Sequence, residues 1–373
     1  MIEQIRHATA DEAASAAGAP DDRPPHEWQP APLAVRARQA LSFQNISAIY
    51  IFVLLFVVFA LWIPSTFLTW GTWRSLLSDT SITCLVAVGL VVPIAAGVVD
   101  LAIGTEVGLG AIVVAWLLAD RHASIPLAIA LTFVCGAAVG VIIWALITRA
   151  RINAFIATLG MSSVLLAVIA WISGSQQILN LGAGFQTLAT NQLFGLTYPV
   201  YILLAVAVVV WYVLEKTPAG RRVYATGGNP EAAGLAGIRT SHVILLSTIT
   251  CGVISALAGL LVSSQLATGD PTIGTPYLLP AFAAVFLGST QFRGGRPNIW
   301  GTVLAAYVLA VGVKGFQLAG APIWIPDLFN GLALLLAVGM AQFQKTPTAR
   351  TAAIRRLLRG ARQPISDRGE NQV

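Results

Sequence analysis

Three charged residues interrupt otherwise apolar stretches of this sequence: Asp100, Glu106 and Lys314. An ionised side chain at the centre of a bilayer costs at least about 2.5–3.5 kcal/mol on insertion scales, and pairing or water access offsets that cost. Asp100 and Glu106 are six positions apart, about 240° around a straight helix, so a straight helix would put them on different faces. Glu106 and Lys314 have opposite signs and are candidates for a buried pair. Removing one partner of such a pair costs about 3–5 kcal/mol, while removing both is often tolerated. Lys314 has a second option, since its long stem lets the ammonium group snorkel to the outer surface.

No other constellation supports catalysis. His7, His26, His122 and His242 are scattered, and Cys84, Cys135 and Cys251 each stand alone in an apolar segment. Neither CxxC nor Cys/His spacing occurs, so no metal cluster or disulfide framework is expected. The sequence holds no Gly-Lys dipeptide, hence no P-loop, and no HExxH. It has no GxSxG elbow. The expectation is a protein that is not an enzyme and carries no metal or cofactor.

These residues sit in an unusual composition. Of 373 residues, 56% are hydrophobic and 10% charged, against roughly 25% charged in a soluble domain. Mean hydropathy is +0.77. So few charges cannot cover a water-facing surface, which excludes disorder, a coiled coil and an ordinary cytosolic enzyme. What remains is an all-α polytopic membrane protein. The net charge of +6 fits the excess of Lys and Arg in cytoplasmic loops. No stripe combining aromatic and basic residues points to nucleic acid.

Ten apolar segments follow one another near 47–63, 80–99, 102–119, 124–148, 153–173, 199–214, 242–263, 277–289, 299–319 and 326–343. The second and eighth look short for a span of about 20 residues, so they are expected to be broken or re-entrant. With the N-terminus inside, interior loops hold Arg149, Arg151, Lys216, Arg221, Arg222, Arg239, Arg293 and Arg296, while exterior loops hold Arg74 and Arg121. That asymmetry follows the positive-inside rule and gives about ten transmembrane helices with both ends in the cytoplasm. Residues 1–42 contain no apolar stretch of the roughly 7–15 residues a signal peptide needs, and read as a disordered cytoplasmic tail. Residues 346–373 read as a basic cytoplasmic tail.

One pattern recurs. Asp100-Leu101-Ala102-Ile103-Gly104-Thr105 and Asp270-Pro271-Thr272-Ile273-Gly274-Thr275 share D-x-x-I-G-T. The two copies fall on opposite sides of the proposed topology, as in an inverted repeat of spans 2–5 and 7–10; a chance four-residue match in a Gly/Thr/Ile-rich chain is the alternative. A second informative stretch is the polar loop 215–241. There Gly227-Gly228 reads as a flexible turn and Asn229 as an N-cap. Pro230 suits the first helical position and Glu231 the positive helix start. Ala232, Ala233, Leu235 and Ala236 continue a short helix that Gly237 can close. An Ala-faced helix of this kind suits insertion into a partner's groove.

Glu231-Ala232-Ala233-x-x-x-Gly237 resembles the "EAA" coupling motif of ABC importer permeases. The longer run from Thr217 to Ile238 resembles the ribose/xylose/arabinose-type family of monosaccharide importer permeases. Further stretches agree in order: Ala87-Val88-Gly89, Asp100-Leu101 with Gly104, Ile152 to Gly160, and Gly294-Gly295-Arg296 with Ile299-Trp300-Gly301-Thr302. The resemblance covers roughly residues 45–345, and makes 43–345 a permease domain with a coupling loop at 215–241.

The resemblance implies a subunit of the bacterial cytoplasmic (inner) membrane that works in a pair with a second permease copy or homologue. It implies an ABC ATPase partner, which uses the ATP, and a periplasmic or lipid-anchored substrate-binding protein. Membrane lipid surrounds it and no nucleic acid is involved. By this reading Gly228, Asn229, Pro230, Glu231, Ala232, Ala233 and Gly237 couple to the ATPase. Asp100, Glu106, Asn153 and Lys314 are the candidates for the translocation path, with helix capping or dimer structure as the blander role for the two acids. Relatives often have Tyr-Glu-Leu-Asp where this chain has Tyr277-Leu278-Leu279-Pro280. They have small or aliphatic residues at Glu106, and Asn-Asn at Val313-Lys314. An ion-coupled secondary transporter, with Asp100 and Glu106 as ion sites, is the alternative; it has no need of the 217–238 loop.

Overall fold

The computed structural model describes residues 43–291 and 295–345. The two expected tails, 1–42 and 346–373, lie outside the described residues, as do Arg293 and Gly294. Long apolar runs without charges become helices because lipid leaves backbone groups no other partner. Their ends are set by local chemistry. The side chains of Thr69, Asn153 and Asn298 cap α3 (Trp70–Ala95), α6 (Ala154–Ser173) and α13 (Ile299–Leu318), and proline occupies the first turn of α5 (Ile125–Trp144) and α8 (Tyr198–Lys216). The other long helices are α1 (Phe43–Trp62), α4 (Ile103–Ala119), α11 (Thr240–Leu266), α12 (Leu278–Gln291) and α14 (Ile325–Lys345). Short helices α2 (Pro64–Phe67), α7 (Ala183–Thr190), α9 (Pro218–Gly228) and α10 (Pro230–Leu235) join them, with a small hairpin of β1 (Gln192–Leu193) and β2 (Leu196–Thr197).

Among the described residues six helices are long and apolar enough to cross a membrane: α3, α5 with its π-helical extension to Arg149, α6, α8, α11 and α13. Shorter apolar helices lie within α1, α4, α12 and α14. α3, α4 and α11 are buried, whereas α6 presents Phe155, Ile156 and a Trp171 that is 82% exposed. Rows of large apolar side chains on the outside identify a polytopic membrane protein.

Two expectations about the second span are corrected. It begins at Trp70, ten residues before 80, and at 26 residues it is not short. Arg74 therefore lies in a helix and not in a loop. The extension is polar along one side: Ser75 donates to Asp79, and Gln265 of α11 donates to Asp79 as well. The short pair is instead α4, with 17 residues, and α12, with 14. α4 begins at Ile103, inside the first copy of D-x-x-I-G-T, and α12 at Leu278, three residues after the second copy. In both copies the aspartate accepts from the backbone N–H two residues on, Ala102 at 3.0 Å and Thr272 at 2.7 Å. This Asx turn holds the chain out of helix before each short span.

Helix neighbours recur in the two halves. α4 packs on α11 and α12 on α3; α5 packs on α11 and α13 on α3. Within the halves, α4 touches α5 and α6, and α12 touches α13 and α14. The connections cluster at two ends. At one end Trp144 donates to Ser241, Thr158 to the carbonyl of Val99, and Tyr224 to that of Pro297. At the other, Ile178 pairs with Gly269, Gln177 donates to Asp270, and Ser264 donates to the carbonyl of Phe185.

Candidate functional site

The 215–241 loop is anchored at its base and displayed at its tip. α9 is held by close backbone contact. A Cβ at Gly220 would fall on the carbonyl oxygen of Leu214, and one at Gly227 on that of Ala95. The Tyr224 hydroxyl donates to the carbonyl of Pro297 at 2.8 Å, which ties α9 to the approach to α13. Gly227 and Gly228 end α9 and form no flexible turn; the missing side chain of Gly227 serves contact with α3. Asn229 then leaves helical geometry, and its side chain accepts from Glu231 N and Ala232 N, both at 3.0 Å. Pro230 and Glu231 occupy the first turn of α10. Ile238 N donates to the carbonyl of Ala233 and Gly237 N to that of Gly234, with Gly237 at φ +81°. These bonds are a Schellman closure, for which glycine is the favoured residue.

The face α10 shows to solvent is not purely alanine. Ala233 is buried against the protein, while Leu235 is 93% exposed. Leu235 is the residue that motif reasoning passed over. Its signal was an isolated large apolar side chain in a run of small ones.

Asp100, Glu106, Cys251 and Ser255 form a second, fully interior group. The straight-helix argument for Asp100 and Glu106 fails because the Asx turn lies between them. α4 begins only at Ile103, so Glu106 comes back beside Asp100. Ligand atoms of Asp100, Glu106 and Cys251 all lie within 4.8 Å of one another. Asp100 Oδ2, both Glu106 carboxylate oxygens and Ser255 Oγ are buried without a hydrogen-bond partner. Among the described residues this is the set able to ligate a cation. Two buried carboxylates this close repel each other when both are ionised, and a proton or a cation between them relieves that.

Lys314 is elsewhere. Its ammonium lies 3.1 Å from Ser75 Oγ and 3.8 Å from Asp79 Oδ2, beside a cavity of about 300 Å³ that Thr83, Gln317 and Asn330 also line. The expected Glu106–Lys314 pair is thus replaced by Asp79–Lys314, because α3 starts early enough to supply an acid. Asn153 caps α6, accepting from Phe155 N, and is exposed. The four path candidates fall into three separate places.

The chain matches the family described as "Branched-chain amino acid transport system / permease component" over residues 72–338. It is 32% identical over 299 residues to the ribose import permease protein of Escherichia coli (strain K12), covering 78% of this chain and 91% of that one. It is 30% identical over 297 residues to the L-arabinose ABC transporter permease protein of Azospirillum brasilense, with 80% and 87% covered. With the autoinducer 2 import system permease protein of Escherichia coli (strain SMS-3-5 / SECEC) it shares 31% over 271 residues, with 70% and 82% covered. No solved structure matches the chain.

Proposed function

The chain belongs to this family of transport-system permease components, and from that premise we propose that it is the membrane-spanning subunit of an ABC importer for a monosaccharide or a related small polar solute. The names of the relatives, which refer to ribose, L-arabinose and autoinducer 2, support that substrate class. The observation that carries the coupling role is α10: a capped, closed helix on an anchored base, with Leu235 presented outward. An ATPase receives this helix in a groove. Closure of the ATPase pair on ATP moves α10, and α9 passes the motion to α3 through Gly227 and to the α13 junction through Tyr224. A substrate-binding protein delivers the solute from the opposite side, and a second permease copy or homologue completes the path. Family membership weighs against the ion-coupled alternative.

The proposed topology has ten spans in the bacterial cytoplasmic membrane. Arg149, Arg151, Lys216, Arg221, Arg222, Arg239 and Arg296 sit at the end that carries α10, which supports the reading of that end as cytoplasmic. The inverted repeat of spans 2–5 and 7–10 draws support from the matching Asx turns and the exchanged helix pairings. The test is co-expression with a candidate ABC ATPase and substrate-binding protein, then uptake of labelled pentoses into proteoliposomes. Failure of the ATPase to co-purify, together with no ATP-dependent uptake, would sink the reading.

A further inference from the structure

A cavity of about 940 Å³ opens between α8, α9 and the start of α11. Its walls and its rim differ in chemistry. The walls include Val209 and Val213 of α8 and Leu246 of α11, which are 61%, 40% and 64% exposed. Val209 and Val213 are one turn apart and share a face, as do His242 and Leu246. Three basic side chains also line the cavity: Arg222 of α9, Arg239, which precedes α11, and His242 in its first turn. All three are exposed, and none is ion-paired to a described residue.

The order along the helices is informative. On α11 the sequence runs from Arg239 and His242 to Leu246, about 1.5 Å of rise per residue, so the charges lie nearer the cytoplasmic end and the apolar wall lies deeper. α8 and α9 repeat that order, with Val209 and Val213 followed by Arg222 beyond the end of α8. A sugar would leave the valines and Leu246 unmatched. A phospholipid has the same sequence of parts, an anionic headgroup followed by acyl chains. Basic pockets between membrane helices on the cytoplasmic side suit anionic headgroups.

We infer that this groove binds an anionic phospholipid of the cytoplasmic leaflet, with its phosphate held by Arg222, Arg239 and His242 and an acyl chain against Val209, Val213 and Leu246. The site adjoins α10 through Gly237 and Ile238, which also line it, so the bound lipid braces the base of the coupling element. The inference rests on the proposed orientation but not on the identity of the transported solute.

The test uses the full chain with its ATPase in nanodiscs of phosphatidylcholine containing one-fifth phosphatidylglycerol, with retained lipids counted by native mass spectrometry. The wild type should keep phosphatidylglycerol in preference to phosphatidylcholine. Each arginine lost should weaken that retention about fivefold, so Arg222→Gln with Arg239→Gln should abolish the preference, and the Arg→Lys pair should keep most of it. Leu246→Trp, which fills the groove, should lower retention of both lipids. Thermal unfolding of each variant separates lost binding from lost fold. Equal retention of the two lipids by wild type, or unchanged preference in the folded Gln pair, overturns the proposal. Retention only when the ATPase is absent overturns it too, since the partner then fills the groove. Lipid counting needs no transport, so its failure is distinct from failure of the importer reading.

Discussion

Gly104 and Gly274, the glycines of the two D-x-x-I-G-T copies, meet backbone to backbone. A Cβ on Gly104 would lie 3.1 Å from the carbonyl oxygen of Gly274, and one on Gly274 would fall on the carbonyl oxygen of Gly104. The recurring motif therefore marks a contact between the copies. Overpacking a close backbone contact costs about 1–3 kcal/mol. Gly274→Ala should lower the thermal stability of the purified permease clearly, and Gly104→Ala less, because its neighbour needs to give only a few tenths of an ångström. Equal wild-type-like melting for both would show that the two loops do not touch.

The reassigned partner of Lys314 gives a second test. Asp79→Asn and Lys314→Met should be non-additive, with a coupling of up to about 1 kcal/mol, since Asp79 is largely exposed and solvent screens the pair. Glu106→Gln and Lys314→Met should add within about 0.3–0.5 kcal/mol, as expected for sites without shared partners. Double-mutant cycles by thermal unfolding in one detergent distinguish the two patterns. Coupling of Glu106 with Lys314 would restore the pairing suggested by their charges alone.

The apolar runs made the helices legible, because each long run is contiguous and five of them carry their own cap or proline at the start. Asn229, Pro230 and Gly237 likewise act on backbone within a few residues of themselves, so the shape of α10 was readable at that level. Three features were not. The early start of α3 relies on Asp79 finding Lys314 and Gln265. The Asp100–Glu106 contact relies on a turn that a straight-helix assumption erases. Leu235 stands out only once α10 is seen to turn Ala233 inward and leave Leu235 outside.

Asp270 offers a pH test outside the membrane spans. Backbone and side-chain hydrogen bonds from Thr272, then one from Gln177, hold its carboxyl below the usual carboxylate range. The group is thus more acidic folded than unfolded. Its contribution is fully present above about pH 4 and is lost as pH falls through the folded value. Thr272→Val removes the side-chain donor and raises the folded value toward the unfolded one, so the contribution should be smaller and its loss complete at a higher pH. Hydrogen exchange across residues 267–274, measured stepwise from pH 6 downward, should show the variant opening first. Identical profiles would mean that the Thr272 hydroxyl does not hold the turn.

Leu235 gives the cleanest test of coupling. Ala233→Arg would disturb a buried position, and Gly237→Asp would strain a residue at φ +81°, so loss of uptake in either has two explanations. Leu235 is 93% exposed, and substitutions at such surface positions usually change stability by within about 0.5 kcal/mol. The minority of interface residues that carry most of the binding energy each cost more than about 1 kcal/mol when truncated, and docking of α10 through its one large exposed apolar side chain makes Leu235 such a residue. Leu235→Asp should therefore leave insertion and melting unchanged while reducing ATPase co-purification at least about fivefold, or leaving hydrolysis uncoupled from uptake. Leu235→Met, which keeps the apolar volume, should retain most of the transport. If Leu235→Asp transports normally with its ATPase attached, α10 does not dock through this side chain, and the structural argument for coupling through it fails.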